Sequence, residues 1–163
     1  MMKRILVVCT GNLCRSPAAQ ALLARELPGR TIESAGIAAI GGTAIDPVMN
    51  ELLTGRGLDL SAHRARRVDD RVCRWADLIL VMEIAHRELI ERTYPMTRGR
   101  VYRLAERYLI DVPDPYRRSR HVYDYAATLI EHGVADWVAR IASLDRNRPR
   151  HPDTGADAPE HLQ

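Results

Sequence analysis

The chain has 163 residues, of which 46% are hydrophobic and 28% are charged, and its formal net charge is +3. This length and composition indicate one globular domain with a sizeable core, not a fibrous or disordered chain. No apolar run suits a signal peptide or a transmembrane helix, so we expect a cytoplasmic protein without membrane insertion. The small number of cysteines, 3, favours the same reducing compartment.

Short apolar runs alternate with helix-forming segments along the chain. The apolar runs predict strands at 4–8, 31–35, 77–82 and 100–103. The intervening segments predict helices at 16–27, 46–56, 84–93 and 120–144, with a short helix near 69–75. This alternation predicts the α/β class, as a single doubly wound domain with a four-stranded parallel sheet and helices on both faces. We place this domain at residues 1–145 and expect a disordered, polar tail at 146–163.

The first predicted strand leads into a motif that is typical of phosphate binding. Residues 9–17 read Cys-Thr-Gly-Asn-Leu-Cys-Arg-Ser-Pro, so Cys9 ends an apolar strand and Arg15 follows six positions later. Ser16 suits a helix N-cap, and Pro17 suits a first helical turn. A loop that enters a helix N-terminus presents backbone N–H groups to a tetrahedral anion. The alternative is that Cys9 merely ends a buried strand and Arg15 is an unrelated charge. That alternative does not explain why the strand, the serine suited to a cap and the proline suited to a first turn follow one another at this spacing.

The loop residues suit a phosphatase that works through a phosphocysteine intermediate. Arg15 and the loop N–H groups favour a Cys9 thiolate, and Arg15 can bind two phosphate oxygens at once. Ser16 can hydrogen-bond the sulfur and stabilise it as a leaving group. Asn12 tolerates left-handed backbone angles, and Leu13 gives an apolar rim that suits an aromatic leaving group. The candidates for substrate binding in this loop are Thr10, Gly11, Asn12, Leu13, Cys14 and Ser16.

A general acid is predicted in Asp-Val-Pro-Asp-Pro-Tyr, residues 111–116. A tyrosyl leaving group has a pKa of about 10, so a proton donor accelerates its departure. Asp114 lies between two prolines on a rigid, exposed loop, and Asp111 is the weaker alternative. Tyr116 is a candidate for an aromatic wall beside the substrate ring. An ordinary turn with a solvated carboxylate is the alternative interpretation of this segment.

Together the motifs resemble those of the low-molecular-weight protein tyrosine phosphatases. The resemblance rests on the Cys9 loop, on Ser-Ala-Gly at 34–36 and on Asp-Pro-Tyr at 114–116, and it extends over about residues 3–144. The stretch Pro-Asp-Pro-Tyr-Arg-Arg-Ser at 113–119 is most similar to the bacterial branch that acts with tyrosine autokinases in capsule or exopolysaccharide export. The resemblance implies the phosphotyrosine protein phosphatase I type of fold.

The resemblance also implies a role for each matched residue. Cys9 is the expected nucleophile, Arg15 the phosphate binder, and Asp114 the general acid and later the general base. A hydrogen-bond network that supports the loop is expected from Asn12, Ser16, Ser34 and His63. The implied substrate is a phosphotyrosyl protein, with a cognate bacterial tyrosine kinase as the partner and without a cofactor. The histidines lack the paired spacing of metal ligands, so no metal site is expected.

Two positions depart from the family pattern. Arg117 follows Asp-Pro-Tyr where many eukaryotic members have a second aromatic, and the loop at 37–42 contains no aromatic residue. We therefore expect a less aromatic cleft, flanked by Ile40, and a substrate preference unlike the eukaryotic one. For Cys14 the resemblance implies a protective disulfide with Cys9 under oxidation, and a small buried loop residue is the equal alternative.

Other functions account for the residues less well. Arsenate reduction on the same loop needs two further downstream cysteines, and only Cys73, which resembles an inert core residue, lies downstream. Relatives that hydrolyse phosphoarginine tend to carry Thr at the position of Leu13. A non-catalytic phosphate-binding module predicts damage to the nucleophile, the arginine or the acid, and all three are present. Arginine-rich stretches such as 63–67 occur without a nucleic-acid-binding motif, so we expect no nucleic-acid partner. Separately, we expect the protein to be a monomer.

Overall fold

A four-stranded parallel sheet forms the centre of the structure, a computed structural model that describes residues 2–149. The strands are β1 (Arg4–Cys9), β2 (Thr31–Gly36), β3 (Leu78–Val81) and β4 (Val101–Arg103). They pair in parallel in the order β2-β1-β3-β4. β1 is an interior strand, and every one of its residues after Arg4 is buried. Its continuous apolar sequence is therefore explained by cover on both faces.

Helices connect the strands and cover both faces of the sheet. They are α1 (Arg15–Glu26), α2 (Pro47–Thr54), α3 (Asp70–Trp75), α4 (Ile84–Thr93) and α5 (Arg120–Arg146). Each predicted strand and helix is present, with bounds that differ by no more than two residues. Two 3-10 turns, Pro95–Thr97 and Glu106–Tyr108, were not predicted, because three residues are too few to show a periodicity.

The C-terminal helix extends slightly beyond its predicted end. α5 continues to Arg146, the first residue of the predicted tail, and residues 150–163 of that tail lie outside the described residues. Between residues 2 and 149, no helix has the length and apolar character needed to cross a membrane.

Side chains that alternate along β1 divide the core into two layers. Ile5 and Val7 pack with residues of α1, α2 and α5, whereas Leu6 and Val8 pack with residues of α3 and α4. Cys73 lies fully buried in the second layer, as predicted for a core cysteine. The doubly wound arrangement is therefore confirmed.

The strand order decides where a ligand can bind. From β1 the chain passes to β2 on one side and later returns to β3 on the other side, so the carboxyl end of β1 is a topological switch point. The loop from Cys9 to Arg15 leaves the sheet at this point. The segment that follows β3 reaches the same edge, because the two strands are parallel neighbours.

A close contact at Gly133 fixes α5 against the end of β4. A Cβ atom at this position would lie 2.8 Å from the Leu104 carbonyl oxygen. Beside it, the Trp137 indole N–H donates to the carbonyl oxygens of Arg103 and Leu104 at 3.2 and 3.1 Å. Only a residue without a side chain allows the helix to approach this backbone so closely.

We expect Gly133→Ala to lower the free energy of unfolding by about 1–3 kcal/mol, because the added methyl group meets backbone that cannot move aside. Urea denaturation followed by circular dichroism measures the change. Gly41→Ala is the matched control, since nothing lies within 4 Å of a Cβ at that position. Equal free energies of unfolding for the two variants would show that the backbone near Gly133 can move aside for the added methyl group.

Candidate active site

The loop between β1 and α1 wraps around the Cys9 sulfur. The backbone N–H of Asn12 donates to Sγ at 3.3 Å, and Ser16 Oγ lies 2.9 Å from Sγ. α1 begins at Arg15, so Ser16 is already helical and its side chain does not cap the helix. The expected capping role of Ser16 is therefore wrong, because its hydroxyl is used on the sulfur instead.

The Asn12 side chain sets the direction of these hydrogen bonds. Its amide nitrogen donates to Ser16 Oγ and to Ser34 Oγ, both at 2.9 Å, and its amide oxygen accepts from the Arg66 backbone N–H at 2.9 Å. Asn12 is fully buried and has a positive φ of 54°, as its residue type allows. Because Ser16 Oγ accepts from Asn12, its own proton is free to point at the Cys9 sulfur.

A second layer of contacts supports Asn12. Ser34, on β2, donates to Gln20 Oε1 at 2.6 Å, and His63 Nε2 lies 2.7 Å from the Asn12 carbonyl oxygen. The structure thus brings Asn12, Ser34 and His63 together around the loop. Gln20 and Arg66 were missed, since an isolated polar residue on a helix or an irregular segment carries no signal in the sequence.

Arg15 is buried and held from several sides. Its Nη1 atom donates to Glu83 Oε1 at 2.5 Å and to the Val112 carbonyl oxygen at 2.8 Å. Its Nη2 atom lies 3.4 Å from Thr10 Oγ1 and 3.7 Å from Asp114 Oδ2. The Arg15 side chain is only 2% exposed, and the paired carboxylate offsets part of the cost of burying its charge.

Glu83 and His86 belong to the site, although sequence reasoning missed them. Glu83 directly precedes α4, and its backbone N–H donates to His86 Nδ1 at 3.2 Å. His86 Nε2 lies 3.0 Å from Thr10 Oγ1, and burial lowers the pKa of this imidazole. The sequence feature that could have identified these two residues is a Glu-x-x-His pattern. It lies just after the strand that neighbours β1, at the sheet edge where ligands bind.

A cavity of about 200 Å³ opens above the sulfur. Its lining residues are Cys9, Thr10, Gly11, Leu13, Cys14, Arg15, Asp114 and Tyr116. Within residues 2–149, no group of three or more His, Cys, Asp or Glu side chains is placed to hold a metal ion. A larger cavity of about 550 Å³ lies along α5, but its lining contains neither a cysteine nor a histidine. The chemistry of the lining, not its size, distinguishes the candidate site.

The predicted acid loop forms the lip of this cavity. Asp114 Oδ1 accepts from the Tyr116 backbone N–H at 3.2 Å, and the Asp114 side chain is 48% exposed. The Arg117 guanidinium lies 5.2 Å from the centre of the Tyr116 ring. Asp111 instead accepts from the Ile84 backbone N–H at 2.9 Å and is not among the lining residues. Ile40 is 78% exposed and is not among the lining residues.

The three cysteines differ in their surroundings, and all are free thiols. Burial raises the pKa of the Cys14 thiol far above its ordinary range, with a further contribution from the Asp46 carboxylate. Burial also raises the pKa of Cys73, to about 11. Since the thiolate is the nucleophilic form, neither of these two cysteines suits attack at neutral pH.

The chain matches the family model of the low molecular weight phosphotyrosine protein phosphatases over residues 4–150. It belongs to this family of cysteine-dependent phosphatases. The chain is 45% identical over 144 residues to the probable low molecular weight protein-tyrosine-phosphatase EpsP of Ralstonia nicotianae, a match that covers 88% of this chain and 99% of EpsP. The family predicted from the sequence motifs is thus confirmed.

Solved structures confirm the fold. Wzb of Vibrio vulnificus in complex with benzylphosphonate superposes with a TM-score of 0.83 at 34% identity, covering 86% of this chain and 99% of Wzb. The YwlE arginine phosphatase from Geobacillus stearothermophilus superposes with a TM-score of 0.84 at 29% identity, covering 91% of this chain and 98% of YwlE. Because both proteins share the architecture equally well, the fold does not decide between phosphotyrosine and phosphoarginine.

We expect Asn12→Ala to weaken the binding of inorganic phosphate and to lower kcat/KM for an aryl phosphate by about 10-fold or more. The change leaves buried partners unsatisfied, at about 1–3 kcal/mol each, and places alanine at a positive φ. Steady-state kinetics with phosphate as a competitive inhibitor measures both effects. Asn147→Ala, just beyond α5, is the matched control. Wild-type kinetics in Asn12→Ala would rule out this role of the amide.

Proposed function

We propose that this chain hydrolyses phosphotyrosine in proteins through a phosphocysteine intermediate. The observation that carries the proposal is the surroundings of the Cys9 sulfur. It receives a hydrogen bond from the Asn12 backbone N–H, contacts Ser16 Oγ, and lines a cavity that Arg15 also lines. A sulfur that lines such a cavity can attack the phosphorus of a bound phosphoryl group from the side opposite to the leaving group.

In the first step, the Cys9 thiolate forms a bond to phosphorus while the bond from phosphorus to the tyrosyl oxygen breaks. Arg15 and the N–H groups of the loop hold the phosphoryl oxygens, on which charge is concentrated in the transition state. The Asp114 carboxyl at the lip donates its proton to the departing phenolate. The position of Asp114 Oδ2, 3.7 Å from Arg15 Nη2, supports this role, because the same guanidinium binds the phosphoryl group.

In the second step, water attacks the phosphocysteine and Cys9 departs as a thiolate. Asp114, now a carboxylate, accepts the proton of the attacking water. The Ser16 hydroxyl donates to the sulfur as negative charge returns to it, in the orientation that Asn12 imposes. Apart from water, every group that this chemistry uses is a side chain or a backbone N–H of the chain, so the proposed reaction needs no cofactor.

Several features favour a phosphotyrosyl substrate. Leu13 and Tyr116 give the cavity apolar and aromatic walls on which a phenyl ring can pack. Related proteins are named protein-tyrosine-phosphatases, and Vibrio vulnificus Wzb binds benzylphosphonate, which also carries a phenyl ring. Hydrolysis of phosphoarginine is the second candidate, supported by the similarity to YwlE, and Leu13 argues against it.

The physiological partner that we propose is a bacterial tyrosine autokinase of polysaccharide export. The resemblance of residues 113–119 to that bacterial branch supports this assignment, as does the 45% identity to EpsP. A cytoplasmic location fits both a kinase partner of this kind and a nucleophilic cysteine that must stay reduced.

We expect Cys9→Ser to abolish turnover of a phosphotyrosyl peptide while inorganic phosphate still binds, because the loop N–H groups and Arg15 are unchanged. The assay compares phosphotyrosyl, phosphoseryl and phosphoarginyl peptides in EDTA, which tests selectivity and metal independence together. Cys73→Ser makes the same chemical change away from the cavity and is expected to keep turnover. Turnover by Cys9→Ser would remove Cys9 as the nucleophile, and a preference for the phosphoarginyl peptide would establish the second candidate.

We expect Asp114→Asn to lower kcat by about 10²–10⁴-fold for phenyl phosphate, whose leaving group needs a proton. The loss for p-nitrophenyl phosphate is expected to be much smaller, since that phenolate leaves readily without protonation. A series of aryl phosphates gives the dependence of kcat on the leaving-group pKa. Asp111→Asn is the matched control and is expected to keep the wild-type slope. An equal loss across the series would exclude Asp114 as the general acid.

A further inference from the structure

The Thr10 hydroxyl joins two groups that come from distant parts of the chain. His86 Nε2, at the start of α4, lies 3.0 Å from Thr10 Oγ1, and Arg15 Nη2 lies 3.4 Å from the same oxygen. The two contacts span 76 and 5 positions of the chain. Thr10 also lines the cavity above the sulfur. A single hydroxyl therefore connects a buried histidine to the phosphate-binding guanidinium.

We infer that His86, acting through Thr10 and Glu83, is a positioning residue that holds Arg15 in its phosphate-binding orientation. This inference rests on the proposed function, since it assigns Arg15 to phosphate binding. Four groups contact the guanidinium, and His86 bonds directly to one of them, the Thr10 hydroxyl. His86 also accepts from the backbone N–H of Glu83, the residue whose carboxylate is another of the four. A third group, the Val112 carbonyl, belongs to the backbone.

The tautomer of His86 follows from its partners. Nδ1 accepts from the Glu83 backbone N–H at 3.2 Å, so Nδ1 carries no proton. In the neutral ring the proton is then on Nε2, which donates to Thr10 Oγ1. The Thr10 oxygen in turn accepts from Arg15 Nη2. The Nε2 donor of His86 and the Nη2 donor of Arg15 thus share the Thr10 oxygen as their acceptor, and both Nη atoms of the guanidinium are restrained.

The surroundings of His86 favour this neutral ring. Its side chain is only 8% exposed, and burial lowers its pKa. Arg15 also opposes protonation, whereas the carboxylates of Glu83, Asp111 and Asp114 favour it. The net direction is downward, so the neutral ring that the hydrogen bonds require is the form present at neutral pH.

Two substitutions separate the bond to Thr10 from the rest of the His86 environment. In His86→Asn the amide oxygen can replace Nδ1 as the acceptor for the Glu83 N–H, but nothing replaces the Nε2 donor. Thr10→Val keeps the shape of the threonine and removes its hydroxyl, whereas Thr10→Ser keeps the hydroxyl. His132→Asn, on an exposed position of α5, is the matched control for the histidine change.

The test measures inorganic phosphate affinity, kcat and KM for an aryl phosphate, and thermal stability in each variant. We expect His86→Asn and Thr10→Val each to weaken phosphate binding about 3- to 10-fold, the range of one hydrogen bond. The double variant is expected to lose no more than Thr10→Val alone, because Thr10→Val already removes the bond that His86→Asn removes. Thr10→Ser is expected to retain the affinity of the wild type.

Two results would overturn the inference. One is additive losses in the double variant, and the other is a lowered stability of His86→Asn with unchanged phosphate affinity, as expected of a purely structural residue. Failure of the proposed function is distinguishable from both. In that case the wild type would not turn over the phosphotyrosyl peptide, while the variants would still show the non-additive loss of phosphate affinity.

Discussion

The hydrogen bonds of the buried Asn12 amide hold the loop closed around the Cys9 sulfur, and the other features of the site depend on this constraint. The positive φ of Asn12 costs about 1–2 kcal/mol for an ordinary residue, and three side-chain hydrogen bonds offset it. The close approach of β2 to this loop also explains why the Ser-Ala-Gly segment ends in a glycine, Gly36. A Cβ at Gly36 would lie 2.6 Å from the Thr10 carbonyl oxygen, so β2 can approach the loop only where a side chain is lacking.

A second constraint is the burial of a positive charge beside that loop. Arg15 is almost wholly removed from water, and it is held before any anion arrives by Glu83 and by the Val112 carbonyl oxygen. Donors that are fixed in advance need no reorganisation when charge develops on the phosphoryl group. Glu83, which directly precedes α4, contacts Nη1 of Arg15, whereas Asp114 at the cavity lip lies near Nη2. In the proposed reaction the two carboxylates have different tasks, since Glu83 orients the guanidinium and Asp114 transfers the proton.

The fold and the side chains at the cavity mouth make different contributions to the site. Wzb of Vibrio vulnificus and the YwlE arginine phosphatase superpose on this chain with nearly equal TM-scores of 0.83 and 0.84. The parallel sheet and its switch point supply the phosphate site in general. In the proposed reaction, selectivity for the leaving group depends on the few side chains that surround the cavity mouth. In this chain they include Leu13, Tyr116 and the Arg117 guanidinium that stacks on the tyrosine ring.

The sequence by itself determined the strands, the helices and the loop from Cys9 to Ser16, because periodicity, turn residues and a contiguous motif are local properties of the chain. The acid loop was also predictable, since two prolines fix Asp114 locally. Only the tertiary structure decided the partners of Arg15 and Thr10, because Glu83 and His86 lie 68 and 76 positions away from them. It likewise decided against Ile40 as a cavity wall. The Gly42 backbone N–H donates to the Ala65 carbonyl oxygen at 2.9 Å, and this pairing with a distant segment fixes a loop that leaves Ile40 in solvent.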